Sequence, residues 1–247
     1  MMIIAVSLGA AFSISELLPY VSPEYRVKSS RLKREDDVRR SLIGDMMVRL
    51  CAMDIEGLRN EEIRVERGVF GKPRLQFMRE PWDYNISHSG KWVTGIVGRK
   101  GQRVGIDIQK MDAVNPSLSR YTMSAAEIKQ YLSLPPEQQK QYLYELWTRK
   151  ESYLKMEGIG INVPIRSVFL EENPMYAAAC YFKQYAMDSG YKLTACSTDF
   201  RFPDECLVVK STDLAEVFLR RCREQTVHLP LNESKLPIVD LKEPVLQ

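Results

Sequence analysis

The hydrophobic positions of this chain follow two rhythms. Met2–Leu8 is a nearly continuous apolar run, the pattern of a strand buried on both faces. Ser22-Pro23-Glu24 reads as a helix start, with a serine cap and proline at the first helical position, where its missing N–H costs nothing. From about Arg34 to Met53 the apolar spacing lengthens to four. Val38, Leu42, Met46 and Leu50, with Ile43 and Met47 beside them, make one stripe and predict a long helix. Arg39 and Arg40 fall off the centre of that stripe, available to solvent or a ligand.

Residues 62–67 return to a strand pattern, and Gly71-Lys72-Pro73 reads as a loop. Trp92–Val97 and Val104–Ile108 are strand-like and flank Gly98-Arg99-Lys100-Gly101, which predicts a hairpin. Ser124-Ala125-Ala126-Glu127 is a capping box. A second long helix is predicted from about Pro136 to Glu157, its apolar surface supplied by Leu143, Leu146, Trp147, Tyr153 and Leu154, with Gly158 as C-terminal cap. Strand-like segments follow at Val168–Leu170, Ala177–Phe182 and Tyr191–Ser197. Strand, long helix and strands thus occur twice, over 2–97 and 104–197, without a residue-level repeat. The expected division is an N-terminal half at 1–103, a C-terminal half at 104–228 and a proline-containing tail at 229–247.

Composition narrows the class. The 247 residues are 45% hydrophobic and 27% charged, ordinary for a globular protein with one large domain or two small halves. A net charge of +3 is too small to argue for nucleic acid. Its distribution is uneven, because seven basic residues (Arg26, Lys28, Arg31, Lys33, Arg34, Arg39 and Arg40) face three acidic ones between Arg26 and Arg40. That run is either a solvated helix face or a phosphate-binding surface. Five cysteines without a Cys-x-x-Cys pair, and only two histidines, make a structural zinc site improbable and point to a reduced, cytoplasmic setting. The apolar start lacks the charged leader of a signal peptide, and no long apolar stretch follows to span a membrane.

Three segments carry candidate chemistry. Val104-Gly105-Ile106-Asp107-Ile108-Gln109 places a carboxylate inside a strand, where aspartate is disfavoured. Either Asp107 has a local hydrogen-bond partner or it serves a site. Trp147-Thr148-Arg149-Lys150-Glu151-Ser152-Tyr153-Leu154-Lys155 puts Glu151 and Lys155 one helical turn apart, with Trp147 a turn earlier. A surface ion pair is the plain reading, and the tryptophan argues against full exposure. Asn85-Ile86-Ser87-His88-Ser89-Gly90 reads as a donor-rich loop in which His88 is either a surface residue or a phosphate donor, assisted by Ser87 and Ser89. Taken together they describe an anion site. Asp107 and Glu151 are hard oxygen ligands suited to Mg²⁺, and Lys28, Lys72, Lys150, Lys155 and His88 supply positive charge.

Gly-Lys-Pro (71–73), Asn-Ile-Ser-His-Ser-Gly (85–90), Gly-Ile-Asp (105–107), Ser-x-x-Glu (124–127) and Trp-x-x-Lys-Glu-Ser-x-x-Lys (147–155) occur in an order and spacing that resembles the Sfp-like 4′-phosphopantetheinyl transferases. The resemblance runs from Ser22 to Lys192. It implies an α+β fold with a pseudo-twofold duplication, each half a small antiparallel sheet with a long helix, and coenzyme A in the cleft between them. It assigns Mg²⁺ to Asp107 and Glu151, with Gln109 at a position where many relatives carry a third carboxylate, a glutamate. Lys28, Arg40, Ser41, the loop with Gly71, Lys72 and Pro73, and the Ser87-His88 segment would hold the nucleotide end, His88 at the 3′-phosphate. Lys150 and Lys155 would meet the pyrophosphate, and Glu151 would take the proton of the attacking serine. The implied reaction moves phosphopantetheine from coenzyme A to a serine of an apo carrier protein and releases 3′,5′-ADP. The implied enzyme is a cytoplasmic monomer without nucleic-acid or membrane partner, serving nonribosomal peptide, polyketide or related carriers. A nucleotide pyrophosphate hydrolase would want a denser acidic box on one helix, and a nucleic-acid-binding module would rest on the Arg26–Arg40 run, which no recognised motif accompanies.

Overall fold

The computed structural model of the chain describes residues 1–9, 12–76, 82–113, 116–160, 163–168 and 180–226. Its strands are β1 (Met2–Ser7), β2 (Val65–Arg67), β3 (Pro73–Leu75), β4 (Tyr84–Ser89), β5 (Trp92–Val97), β6 (Val104–Lys110), β7 (Tyr181–Tyr185), β8 (Tyr191–Ser197) and β9 (Leu207–Lys210). The helices are α1 (Ile14–Leu17), α2 (Pro23–Ser29), α3 (Glu35–Glu56), α4 (Pro116–Thr122), α5 (Ala125–Ser133), α6 (Pro136–Glu157) and α7 (Ser211–Thr226). One sheet has the order β4-β5-β1-β9, a second β6-β8-β7, and β2 pairs with β3 alone.

The caps read from the sequence do their work. The Tyr25 N–H donates to Ser22 Oγ at 3.1 Å, and Ser124 and Glu127 form the reciprocal box at the start of α5. Both long helices span 22 residues, α3 ending at Gly57 and α6 at Gly158, each in the left-handed conformation.

Alternation along β1 organises the core. Ile4 and Val6 pack with Leu42, Ile43, Met46 and Leu50 of α3. Ile3 and Ala5 point the other way, onto Ile106, Ile108, Leu193 and Ala195 of the second sheet. The far side of that sheet carries α6, where Met156 and Leu154 meet Cys196. Helix, sheet, sheet and helix therefore follow one another as layers. Gly105 permits the last contact, because a Cβ there would stand 2.0 Å from Ser152 O and 2.5 Å from Met156 N.

The two halves share one plan. In the first, β1-α3-β4-β5 gives the spatial order β4-β5-β1, and in the second, β6-α6-β7-β8 gives β7-β8-β6. The coarse repeat of the sequence is thus a repeat of topology.

Three expectations need correction. Trp92–Val97 and Val104–Ile108 form no hairpin, since β5 pairs with β1 and β4 whereas β6 pairs with β8. The turn at 98–101 is real, with Gln102 N–H donating to Arg99 O at 3.0 Å, but it carries the chain from one sheet to the next. The segment 85–90 is not a loop: Tyr84–Ser89 is the other arm of a hairpin with β5, turning at Gly90-Lys91. Gly90 has φ +53°, and a Cβ there would collide with the Tyr191 hydroxyl at 2.2 Å. Finally, residues 207–226 return to the first half, where β9 runs parallel to β1 and Arg221 of α7 donates to Asp54 of α3 at 2.9 Å. Val168–Leu170 lies largely, and the tail 229–247 wholly, outside the described residues, while Ala177–Phe182 is described from residue 180 and its Tyr181 and Phe182 open β7.

Candidate active site

Asp107 is in the middle of β6, 1% exposed, on the face that α6 covers. Lys155, from the last turns of α6, donates to Asp107 Oδ1 and, at 2.8 Å, to Ser87 Oγ. The Ser87 hydroxyl in turn donates to Asp107 Oδ1 at 2.9 Å. Two residues along the strand, and so on the same face, Gln109 donates its Nε2 to Asp107 Oδ2 at 3.0 Å. The amide oxygen is then the atom Gln109 can offer a cation.

Glu151, one turn before Lys155, completes the cluster. Burial raises its pKa, the Asp107 charge raises it further, and Lys155 and Trp147 act in the opposite direction. The Trp147 Nε1 lies toward Glu151 without meeting hydrogen-bond geometry. Two carboxylates that repel each other across a half-buried site make a place for a hard cation. Mg²⁺ takes one or two protein carboxylates and fills its other positions with water or phosphate oxygens. The donor set therefore fits Mg²⁺. Among the described residues, no group of three or more His, Cys, Asp and Glu side chains is placed to hold a metal ion.

The neighbouring segment, loop-like in sequence and a strand in the structure, explains how the cluster is assembled. On β4 and the residue before it, Asp83, Asn85, Ser87 and Ser89 face β6 at every second position. Their side-chain oxygens accept the N–H groups of Val104 (2.9 Å), Ile106 (3.0 Å), Ile108 (3.3 Å) and Lys110 (2.9 Å). Side chains of one sheet thus replace the backbone partner that the edge strand of the other lacks. From sequence, Asp83 and Asn85 have no role and Ser89 only that of assisting His88, although the alternation of polar residues with Tyr84 and Ile86 is a usable signal.

His88 lies on the opposite face of β4 from Ser87 and is exposed. It joins Arg40 and Arg34 near Asp37, whose carboxyl is held below the usual range first by its hydrogen bond from Arg40 and then by these charges. Arg40 donates to Asp37 Oδ1 and to Gly90 O, each at 2.7 Å. Ser41, the next residue on α3, lies near the hydroxyl of Tyr25 of α2, which donates to Val38 O at 3.2 Å. The Lys28 side chain lies outside the described residues, though its backbone belongs to α2. Basic residues therefore converge at the start of α3, and Ser87 belongs to the Asp107 cluster instead.

Two lysines are elsewhere than expected. Lys150 is fully buried, donating to Glu127 Oε2 at 2.6 Å and Thr122 O at 3.1 Å, so it ties α6 to α4 and α5. Burial pushes its pKa down while Glu127 opposes the shift. Lys72 is engaged by Asp83, Val104 and Met156. Its neighbours are structural too: Gly71 has φ +87° in the turn, and Pro73 opens β3 opposite Arg67.

Comparison with known proteins divides the chain where the fold divides. The model described as "4'-phosphopantetheinyl transferase, N-terminal" matches residues 11–99. That of the 4'-phosphopantetheinyl transferase superfamily matches residues 103–201. The chain is 32% identical over 206 residues to 4'-phosphopantetheinyl transferase Sfp of Bacillus subtilis (strain 168), covering 80% of this chain and 91% of that one. To 4'-phosphopantetheinyl transferase ffp of Bacillus subtilis it is 33% identical over 202 residues, 78% and 89% of the two chains. A 4'-phosphopantetheinyl transferase from Bacillus pumilus is 32% identical over 198 residues, 76% and 84% of the two. Matched in both halves and over nearly the full length of these relatives, the chain belongs to the Sfp-like 4'-phosphopantetheinyl transferases.

Proposed function

We infer that the protein transfers the 4′-phosphopantetheine arm of coenzyme A to a serine of an apo carrier protein, with Mg²⁺ at Asp107 and Glu151. The observation that carries the site assignment is the meeting of Asp107, Glu151 and Lys155, from two segments 44 residues apart, in one half-buried cluster. Bound there, Mg²⁺ would neutralise charge on the pyrophosphate.

The chain's own residues supply the rest. A lysine ammonium has three protons, and Asp107 and Ser87 accept two of those of Lys155. The third would donate to a phosphate oxygen of the bound coenzyme A and offset its developing charge. Glu151 takes the proton of the carrier serine as it attacks the β-phosphorus, directly or through one water. Gln109 orients Asp107 and adds a neutral oxygen donor. Arg40, His88 and the face of α2 hold the nucleotide end, His88 at the 3′-phosphate, with coenzyme A along the junction of the two halves. Transfer of this kind is mostly positioning and charge stabilisation, and 3′,5′-ADP leaves.

Mass spectrometry of several apo carrier proteins incubated with the enzyme, coenzyme A and Mg²⁺ tests the reading. A gain of about 340 Da on the carrier, dependent on Mg²⁺, is the expected result for attachment of this cofactor-derived group. Coenzyme A cleavage that leaves every carrier unmodified would refute it.

A further inference from the structure

Lys72 spends its charge inside the protein. An ammonium has three protons to donate, and three protein oxygens surround this one: Asp83 Oδ2 at 2.5 Å, Met156 O at 3.0 Å and Val104 O at 3.1 Å. The same Asp83 oxygen accepts the Val104 N–H at 2.9 Å. Together the pair satisfies both peptide groups of Val104, as a neighbouring strand would. Met156 O belongs to the last turn of α6, among the carbonyls that a helix end leaves without intrahelical partners, and a cation is favoured there by the helix dipole. The lysine stem packs beside Gly158, where a Cβ would come within 3.2 Å of Lys72 Cδ.

One side chain thereby joins the loop before β3, the start of β6 and the end of α6. Asp107 is three residues along β6 from Val104, and Lys155 is the residue before Met156. The Lys72 side chain is 8% exposed. Burial lowers its pKa despite the pull of Asp83, and a buried ion pair is by itself weak evidence of a stabilising role.

We propose that Lys72 and Asp83 are a positioning pair, which sets the strand carrying Asp107 against the helix carrying Glu151 and Lys155, rather than a contact to coenzyme A. The consequence for activity rests on the phosphopantetheine-transfer reading; the geometric role does not.

The test uses the full chain with Lys72→Met and with the double variant Lys72→Met/Asp83→Leu. The second replaces the pair by apolar groups, a change that buried ion pairs often tolerate without loss of folding. Calorimetry gives the coenzyme A Kd, and carrier modification gives kcat and the Mg²⁺ half-saturation point. The expected result is a Kd changed by less than about tenfold, a kcat lowered by about 10²-fold, the scale of a misplaced catalytic group, and a higher Mg²⁺ requirement. The reverse split, with Kd weakened beyond about tenfold and kcat kept at saturating coenzyme A, makes Lys72 a ligand and overturns the proposal. So does a folded double variant with normal kcat and Mg²⁺ dependence. Should the wild type modify no carrier, the functional reading fails and the pair is read by amide hydrogen exchange. Faster exchange of 104–110 and 151–157, with 35–56 unchanged, supports it, and unchanged exchange throughout overturns it.

Discussion

At single residues the proposed chemistry separates into binding and proton transfer. Glu151→Gln keeps the shape and an oxygen donor but removes the proton acceptor. Carrier modification is expected to fall ~10²-fold or more, while coenzyme A binding measured by calorimetry stays within about tenfold. Should turnover survive, the base lies elsewhere. His88→Ala is expected to weaken coenzyme A by about 1.5–3 kcal/mol, the scale of a charge-assisted hydrogen bond, and to leave 3′-dephospho-coenzyme A nearly unaffected. Equal losses for both ligands would return His88 to a structural role. Much of the cluster was legible at this scale. Helical spacing put Glu151 and Lys155 on one face, whereas Gln109 came with the family resemblance, and the structure has it donating to Asp107. The same rule tells against Lys150: helical neighbours do not face each other, and the residue next to Glu151 turns away to Glu127. Its family motif position, not its geometry, had placed it at the pyrophosphate.

Elements were legible wherever apolar periodicity dominated, as in α3, α6, β1 and β8. It failed at β4, where Asn, Ser and Gly suggested a loop. Those residues are polar because their partners are backbone N–H groups of β6, and a strand that pairs through its side chains cannot be apolar on that face. The glycine of Gly-Ile-Asp carries a similar message about contact between elements. Gly105→Ala removes no reactive group, yet its Cβ would meet Ser152 O, which is backbone and cannot swing away. The expected loss is about 1–3 kcal/mol in urea unfolding, as for other overpacked sites, with impaired carrier modification because α6 must lift from β6. A variant of wild-type stability and activity would contradict this close packing. The Lys72–Asp83 pair makes a prediction of opposite sign. The folded pKa of Lys72 is depressed by burial, against Asp83 and with minor help from Arg74 and Arg103. Between that lowered value and the ordinary 10.5 the unfolded chain binds more protons, so stability rises with pH. Wild type should therefore gain on Lys72→Met as the pH is raised from below toward the ordinary 10.5, in paired urea midpoints. A gap that moves the other way would mean the ammonium is stabilised where it is.

For the whole molecule, a coarse repeat of strand, long helix and strands was visible from periodicity, although β4, one of the strands that complete it, was not. The return of β9 and α7 to the first half was not visible. Leu207–Lys210 pairs with a strand far away in sequence, and nothing local records that distance. It has a consequence for the making of the protein. Ile4 of β1 waits for Leu207, about 200 residues later, before its second edge is filled. At ribosomal rates of roughly 5–20 residues per second, that is an interval of roughly 10–40 s in which a nascent chain presents an open, apolar strand edge. A chain stopped after Cys206 retains every residue assigned to catalysis and never closes that edge, and it should be recovered mainly as aggregate where the full chain is soluble. Synthesis of this protein is thus a race between translation and association, and a chaperone that covers the first few residues of the newborn chain would decide its yield.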